Sequence, residues 1–340
     1  MTMGQVTVIG AGSWGTALAK LLGDKGHLVR MWSYESSVAD QINNGRENLD
    51  YLPGVKLPES VQVLLGHEAA LEGAEIVVCV MPSHVFRDVM TAASPFVPSD
   101  AIVLSATKGI EVETLERPTE ILSELFPESP PPVALSGPTF AREVGEGDPT
   151  AIVAACEDHS VAEKVQDFFV TERFRVYTNE DVLGVELAAS LKNVIALAAG
   201  IAAGIGYRTN SRAALITRAL AEITRLGLAM GARASTFAGL AGLGDLVLTC
   251  SSELSRNRTV GVRLGQGESL EDILSSMKMV AEGVRTTKAA RKLAQQQQVE
   301  MPIVEEVHNI LFEGKPPKQA TADLMLREPK PELWGGADAT

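Results

Sequence analysis

Apolar residues fall in short unbroken runs through the first half of this chain and at helical spacing through the second. Val6–Ile9, Leu28–Trp32, Ile76–Met81, Ile102–Ser105, Val133–Ser136 and Ala151–Ala155 each place several apolar residues in succession. Such runs predict buried parallel strands rather than half-exposed ones. Between them, Thr16–Gly23, Ser36–Asn43, His84–Ala93, Thr119–Leu125 and Ser160–Phe169 carry the spacing of amphipathic helices. Strand and helix in alternation predict a doubly wound α/β sheet.

After about Thr178 the strand signals stop. Asp181–Gly204 predicts one long helix, apolar nearly all round beyond Leu187. A helix of that kind belongs at the centre of an all-helical unit or in an interface. Further helices are predicted at Arg212–Met230, Thr236–Leu240, Ser255–Leu264, Ser269–Ser275, Thr286–Gln296, Ile303–Phe312 and Lys318–Leu326. The expected organisation is an α/β unit over 1–178, an all-α unit over 179–328 and a flexible tail over 329–340, rich in proline and glycine. A length of 340 residues agrees with two domains at about 150 residues each.

The net charge of −13 argues against nucleic-acid binding and electrostatic membrane docking. With 45% apolar and 21% charged residues, the chain has enough apolar surface to fold into large cores. Three cysteines, Cys79, Cys156 and Cys250, do not make a disulfide framework, and five scattered histidines show no zinc-ligand spacing, so no metal is expected. The N-terminus reads as a strand, not a signal peptide, and the longest uncharged run, Asn193–Tyr207, is shorter than a membrane span. A soluble cytoplasmic protein is expected.

Gly10-Ala11-Gly12-Ser13-Trp14-Gly15 follows the first strand and opens a helix. Gly10 permits a tight turn, Gly12 lets backbone approach a pyrophosphate, and Gly15 lets helix and strand pack closely. The helix N-terminus adds unpaired N–H groups and a positive dipole, so a dinucleotide site is predicted. An acid at the end of the second strand would select the ribose 2′-hydroxyl of NAD. Ser33 and Tyr34 stand there instead, with Glu35 just beyond. The missing acid leans towards NADP, although Glu35 swinging in would favour NAD.

Lys192 lies within an apolar helix, where burial would depress its pKa towards that of a neutral-pH acid–base catalyst. Pairing with Glu186 or snorkelling to the helix rim is the plainer alternative. Lys108 follows an apolar strand, at the end where open α/β sheets bind ligands. Gly137 and Thr139 follow another strand. Ser255-Arg256-Asn257-Arg258 puts two arginines at a helix N-terminus, against the dipole, which a bound phosphate or an acidic partner would explain. Asp245, beside glycines, could orient a lysine or a substrate hydroxyl, or merely cap a helix.

Taken in order, these segments resemble the bacterial NAD(P)-dependent glycerol-3-phosphate dehydrogenases. The likeness runs through the glycine turn, Asn48-Leu49-Asp50-Tyr51-Leu52-Pro53-Gly54, Thr107-Lys108-Gly109 and Ser136-Gly137-Pro138-Thr139-Phe140-Ala141. It continues through Gly184-Val185-Glu186-Leu187, Leu191-Lys192-Asn193, Gly242-Leu243-Gly244-Asp245, Ser255-Arg256-Asn257-Arg258 and Glu282-Gly283. The resemblance implies a Rossmann domain followed by an all-α domain of the 6-phosphogluconate-dehydrogenase type. It also implies a homodimer and reduction of dihydroxyacetone phosphate to sn-glycerol 3-phosphate for phospholipid synthesis.

By the same resemblance Lys192 is the proton donor and acceptor. Lys108, Gly137, Thr139, Lys192, Asp245, Ser255, Arg256 and Asn257 bind substrate. Besides Gly10, Gly12 and Gly15, the cofactor contacts are Ser13, Trp14, Tyr34, Lys108, Ala141, Arg256, Val280 and Glu282. Tyr34 stands where many members carry a basic residue, and Thr139 replaces the commoner serine while keeping the hydroxyl. A β-hydroxyacid or 6-phosphogluconate-type dehydrogenase is the rival enzyme, and a non-catalytic dinucleotide sensor is the rival outside catalysis.

Overall fold

Val6, Val8, Val77, Val78 and Leu104 are fully buried. In the computed structural model they lie in neighbouring strands of one eight-stranded sheet. The structure describes residues 4–277, 279–329 and 331–332; the remainder of the expected tail, at 330 and 333–340, lies outside the described residues. From one edge the strands are Val61–Leu64, Leu28–Trp32, Gln5–Ile9, Ile76–Cys79, Ile102–Ser105, Val133–Ser136, Thr150–Ala155 and Phe174–Asn179. The first six of these run parallel, in the order of a Rossmann sheet. Strand order reverses between Gln5–Ile9 and Ile76–Cys79, which opens a crevice at the carboxyl ends of the strands.

Two features differ from expectation. Thr150–Ala155, expected among the parallel strands, runs antiparallel to Val133–Ser136. Its residues are nearly all apolar, so their pattern is the same read in either direction. The connection through the short helix Ala141–Glu146 returns the chain into the sheet at the end it left. The strands Val61–Leu64 and Phe174–Asn179 were not predicted. Both are edge strands that alternate buried and exposed positions, the pattern of half-buried strands, which unbroken apolar runs do not mark. The antiparallel pair Glu47–Asn48 and Leu52–Lys56, which lacks such alternation, was not predicted either.

The long helix Val182–Gly204 forms the axis of the helical half. Its N-cap Asp181 accepts from Gly184 N at 2.9 Å and also from Arg233 N and Thr236 Oγ1. By length and composition this helix and Ala234–Ser251 could each cross a membrane, but 89% of the former's apolar window is buried inside the protein. It packs against helix Arg256–Gly265 at backbone contact. A Cβ on Gly200 would lie 2.1 Å from Arg258 O, and one on Gly261 would lie 2.2 Å from Leu197 O. Small residues at both positions therefore set how close the two helices come.

Glu186 does not pair with Lys192. Its buried carboxylate accepts from Arg117 Nη1 at 2.7 Å and from Thr119 N at 3.0 Å, tying the long helix to the sheet half. Burial pushes the Glu186 carboxyl up, against the pull of Arg117.

Candidate active site

Lys192 extends from the buried middle of the long helix, with 5% of its surface exposed. Its Nζ donates to Asp245 Oδ1 and, at 2.8 Å, to Thr249 Oγ1. Asp245 opens helix Asp245–Ser251 and is completely buried. Thr249, one turn further along, donates its own hydrogen to Asp245 O at 2.7 Å, which leaves its oxygen free to accept from the lysine. The other Asp245 oxygen accepts from Lys108 Nζ at 2.8 Å.

Lys108 reaches this point from the loop after strand Ile102–Ser105. It also donates to Gly137 O at 2.9 Å and lies 3.4 Å from Thr139 Oγ1. One buried carboxylate thus serves two lysines. Burial, helped by the Lys108 charge, lowers the Lys192 pKa to about 7, and Asp245 opposes the shift without cancelling it.

A chain of amides extends from this centre. Asn193 Nδ2 donates to Lys108 O at 3.3 Å, and Asn257 Nδ2 donates to Asn193 Oδ1 at 3.0 Å. Asn257 Oδ1 accepts from Gly283 N at 2.9 Å. Ser255 caps helix Arg256–Gly265 by accepting from Arg258 N. Arg256 is exposed and donates to Val280 O at 3.3 Å. The carboxylate of Glu282 accepts from Ser83 N at 2.9 Å and Ser83 Oγ at 2.6 Å, closing the helical half onto the sheet half.

The glycine turn has the shape its sequence requires. Gly10 adopts φ +118°, and a Cβ on Gly15 would lie 1.9 Å from Gly10 O. A Cβ on Gly12 would meet nothing within 4 Å, so the space beside this glycine is open. Among the described residues no side chain caps helix Ser13–Asp24, which leaves its first N–H groups available to an anion. Trp14 Nε1 is buried with no hydrogen-bond partner among the described residues. This cradle fits a dinucleotide pyrophosphate. Ser13 Oγ donates to Tyr51 O at 2.7 Å and lies 3.5 Å from Met279 Sδ, so the glycine turn touches the loop that carries Val280.

The fold therefore gathers Lys108, Gly137, Thr139, Lys192 and Asp245 at one centre. Asn257 joins that centre through Asn193. Arg256, Val280 and Glu282 form one wall with Ser255 at its helix cap. Ala141 and Trp14 both pack against the sheet-half core. Tyr34 lies apart from the lysine centre, 88% exposed beyond strand Leu28–Trp32. Sequence reasoning singled out neither Thr249 nor Ser83 and gave Asn193 no role. Thr249 was within reach, because a residue four after Asp245 shares its helix face. Ser83 was not, since only the fold brings it to Glu282.

The model of the NAD-dependent glycerol-3-phosphate dehydrogenase N-terminus matches residues 5–162, and that of the C-terminus matches residues 181–322. A Citrifermentans bemidjiense protein described as glycerol-3-phosphate dehydrogenase [NAD(P)+] is 53% identical over 330 residues, 96% of this chain and 98% of the relative. A Koribacter versatilis protein of the same description is 54% identical over 336 residues, 98% of this chain and 100% of the relative. The crystal structure of glycerol-3-phosphate dehydrogenase from Coxiella burnetii superimposes with a TM-score of 0.92 at 38% identity, covering 96% of this chain and 99% of that one.

Proposed function

The chain belongs to the NAD-dependent glycerol-3-phosphate dehydrogenase family, and on that premise we propose that Lys192 moves the proton while Lys108, Gly137, Thr139, Asp245, Ser255, Arg256 and Asn257 bind the phosphotriose. The enzyme is an NAD(P)-dependent oxidoreductase interconverting dihydroxyacetone phosphate and sn-glycerol 3-phosphate. The observation that carries the assignment of roles is Lys192 itself, a buried lysine brought to about 7 and sharing one carboxylate with Lys108.

When bound, the nicotinamide supplies the hydride in reduction and accepts it in oxidation. Gly10, Gly12 and Gly15 would hold the pyrophosphate against the N–H groups of the first helix. Ser13, Trp14, Tyr34, Lys108, Ala141, Arg256, Val280 and Glu282 would line the rest of the dinucleotide site. As the carbonyl at C2 is reduced, negative charge grows on its oxygen. Lys192 in its ammonium form stabilises that charge and then donates a proton. In the reverse direction the neutral amine takes the hydroxyl proton. Two of the three ammonium hydrogens are committed to Asp245 and Thr249, which leaves one for the substrate oxygen.

Arg256 and the N-terminus of its helix would hold the substrate phosphate, binding energy that orients C2 without taking part in the chemistry. The reading includes two domains, 1–178 and 179–328, supported by a last strand ending at Asn179 and a long helix starting at Val182. It includes a homodimer, for which the exposed Leu243, Val247 and Leu254 of the helical half are suited. It also includes a cytoplasmic enzyme supplying glycerophospholipid synthesis. Free buried cysteines suit such a reducing compartment.

Loss of reduced-nicotinamide absorbance with dihydroxyacetone phosphate, and none with unphosphorylated dihydroxyacetone, tests the substrate assignment. Equal rates with both would overturn the phosphate site.

A further inference from the structure

We infer that Glu35, held in place by Tyr51, makes this enzyme prefer the unphosphorylated dinucleotide over its 2′-phosphorylated form. The inference rests on reading the glycine turn as the dinucleotide site. The sequence alone points the other way, because Ser33 stands where an acid would select the 2′-hydroxyl.

The fold places Glu35 at that end of the sheet. Gly10 N donates to Trp32 O at 3.1 Å, so the last residue of strand Leu28–Trp32 adjoins the glycine turn. Ser33 is buried, donates to Glu35 O at 2.9 Å and accepts from Glu35 N at 3.2 Å. This local turn folds the chain back, so that Glu35 remains beside the strand end. Its carboxylate accepts from Tyr51 Oη at 2.8 Å.

Tyr51 is itself anchored to the glycine turn. Its carbonyl accepts from Ser13 Oγ at 2.7 Å, and its N–H donates to Asn48 Oδ1 at 3.1 Å. Asn48 is completely buried, and its Nδ2 donates at 2.8 Å to both Ala11 O and Thr16 Oγ1. An unbroken series of hydrogen bonds therefore runs from the turn through Asn48 and Tyr51 to the Glu35 carboxylate. The carboxylate cannot move away from the site without breaking it. The Asn48–Gly54 motif thereby acquires a task that the substrate chemistry does not require of it.

Among the described residues this carboxylate accepts from Tyr51 and forms no ion pair. Neither 33–41 nor 48–52 contains lysine or arginine. The arginines nearest in sequence are committed elsewhere, Arg30 to Ala69 O and Glu72 O, and Arg46 to Pro58 O and Val61 O. A 2′-phosphate carries a charge of roughly −1.5 to −2 near neutral pH and would be repelled here, whereas a 2′-hydroxyl finds an acceptor.

Calorimetric titration of the full-length enzyme with NADH and with NADPH, without substrate, provides the test. The wild type is expected to bind NADH at least about tenfold more tightly, the ratio that modest like-charge repulsion produces. Glu35→Gln, which keeps the hydrogen bond but removes the charge, should bring the two affinities close to equality. Tyr51→Phe should narrow the ratio partway by freeing the carboxylate. Added salt should narrow it in the wild type and not in Glu35→Gln. Tighter binding of NADPH by the wild type, or an unchanged ratio in Glu35→Gln, would overturn the inference while leaving the dinucleotide site intact. Binding of neither cofactor would remove the reading of the turn and the inference together.

Discussion

Lys192 and Asp245 stand 53 positions apart in the chain and meet as a buried ion pair. Removing two charges from water is unfavourable unless pairing and hydrogen bonds compensate. Here the compensation is incomplete for the lysine. Burial outweighs the attraction of Asp245, and the second lysine on the same carboxylate adds to the shift, so Lys192 can exchange a proton near neutral pH.

Reduction needs Lys192 charged and oxidation needs it neutral. With its pKa at about 7, turnover in the reductive direction should fall as pH rises through that value, and oxidative turnover should rise. Initial rates in both directions across this range check the opposed limbs. Lys192→Met should lower turnover about 10²–10⁴-fold with little change in dinucleotide affinity. Near-normal turnover would remove Lys192 from its role.

Lys108 contributes positive charge that favours the neutral form of Lys192. Lys108→Met should therefore shift both pH limbs upward as well as weaken substrate binding. Lys108→Arg keeps the charge and should leave the limbs closer to their original position. Limbs that stay fixed in Lys108→Met would show that the two lysines are not electrostatically coupled.

Gly261 lets the helix of Arg256 approach the helix of Lys192 at backbone contact. Gly261→Ala should destabilise the enzyme by about 1–3 kcal/mol, the usual penalty for overpacking a core. The urea midpoint should fall, and substrate KM should rise because Ser255–Asn257 move away from Lys192. A variant with an unchanged midpoint would contradict the close contact.

Glu222 is 3% exposed and accepts from Ile303 N with both oxygens, at 3.1 Å each, at the start of helix Pro302–Phe312. Burial raises its pKa from 4.5 to about 7. Between those values the folded state holds more protons than the unfolded state, so this group's contribution to stability declines as pH rises from about 4.5 to about 7. Glu222→Gln should flatten that part of the profile. Urea midpoints measured across the window would show it, and identical slopes in both proteins would refute it.

Much of the site could be read one residue at a time. Gly10, Gly12 and Gly15 are informative because their spacing answers a steric demand within a single turn. Lys192 draws attention because a charge interrupts an apolar helix. Thr249 follows from helical spacing once Asp245 is suspected. Glu35 is the opposite case, since its residue type is plain but its meaning depends on Tyr51 and Asn48.

Local pattern was enough to determine the Rossmann-type sheet, the helical second half and a list of suspicious side chains, because backbone periodicity and burial are written in short stretches. The direction of Thr150–Ala155 was decided only in three dimensions, where the path of the preceding connection settles what an apolar run leaves open. So was the sharing of Asp245 by lysines 137 and 53 positions away. Proton affinity and cofactor choice depend on charges and low-dielectric surroundings brought together from distant parts of the chain. No local stretch of sequence contains those distances.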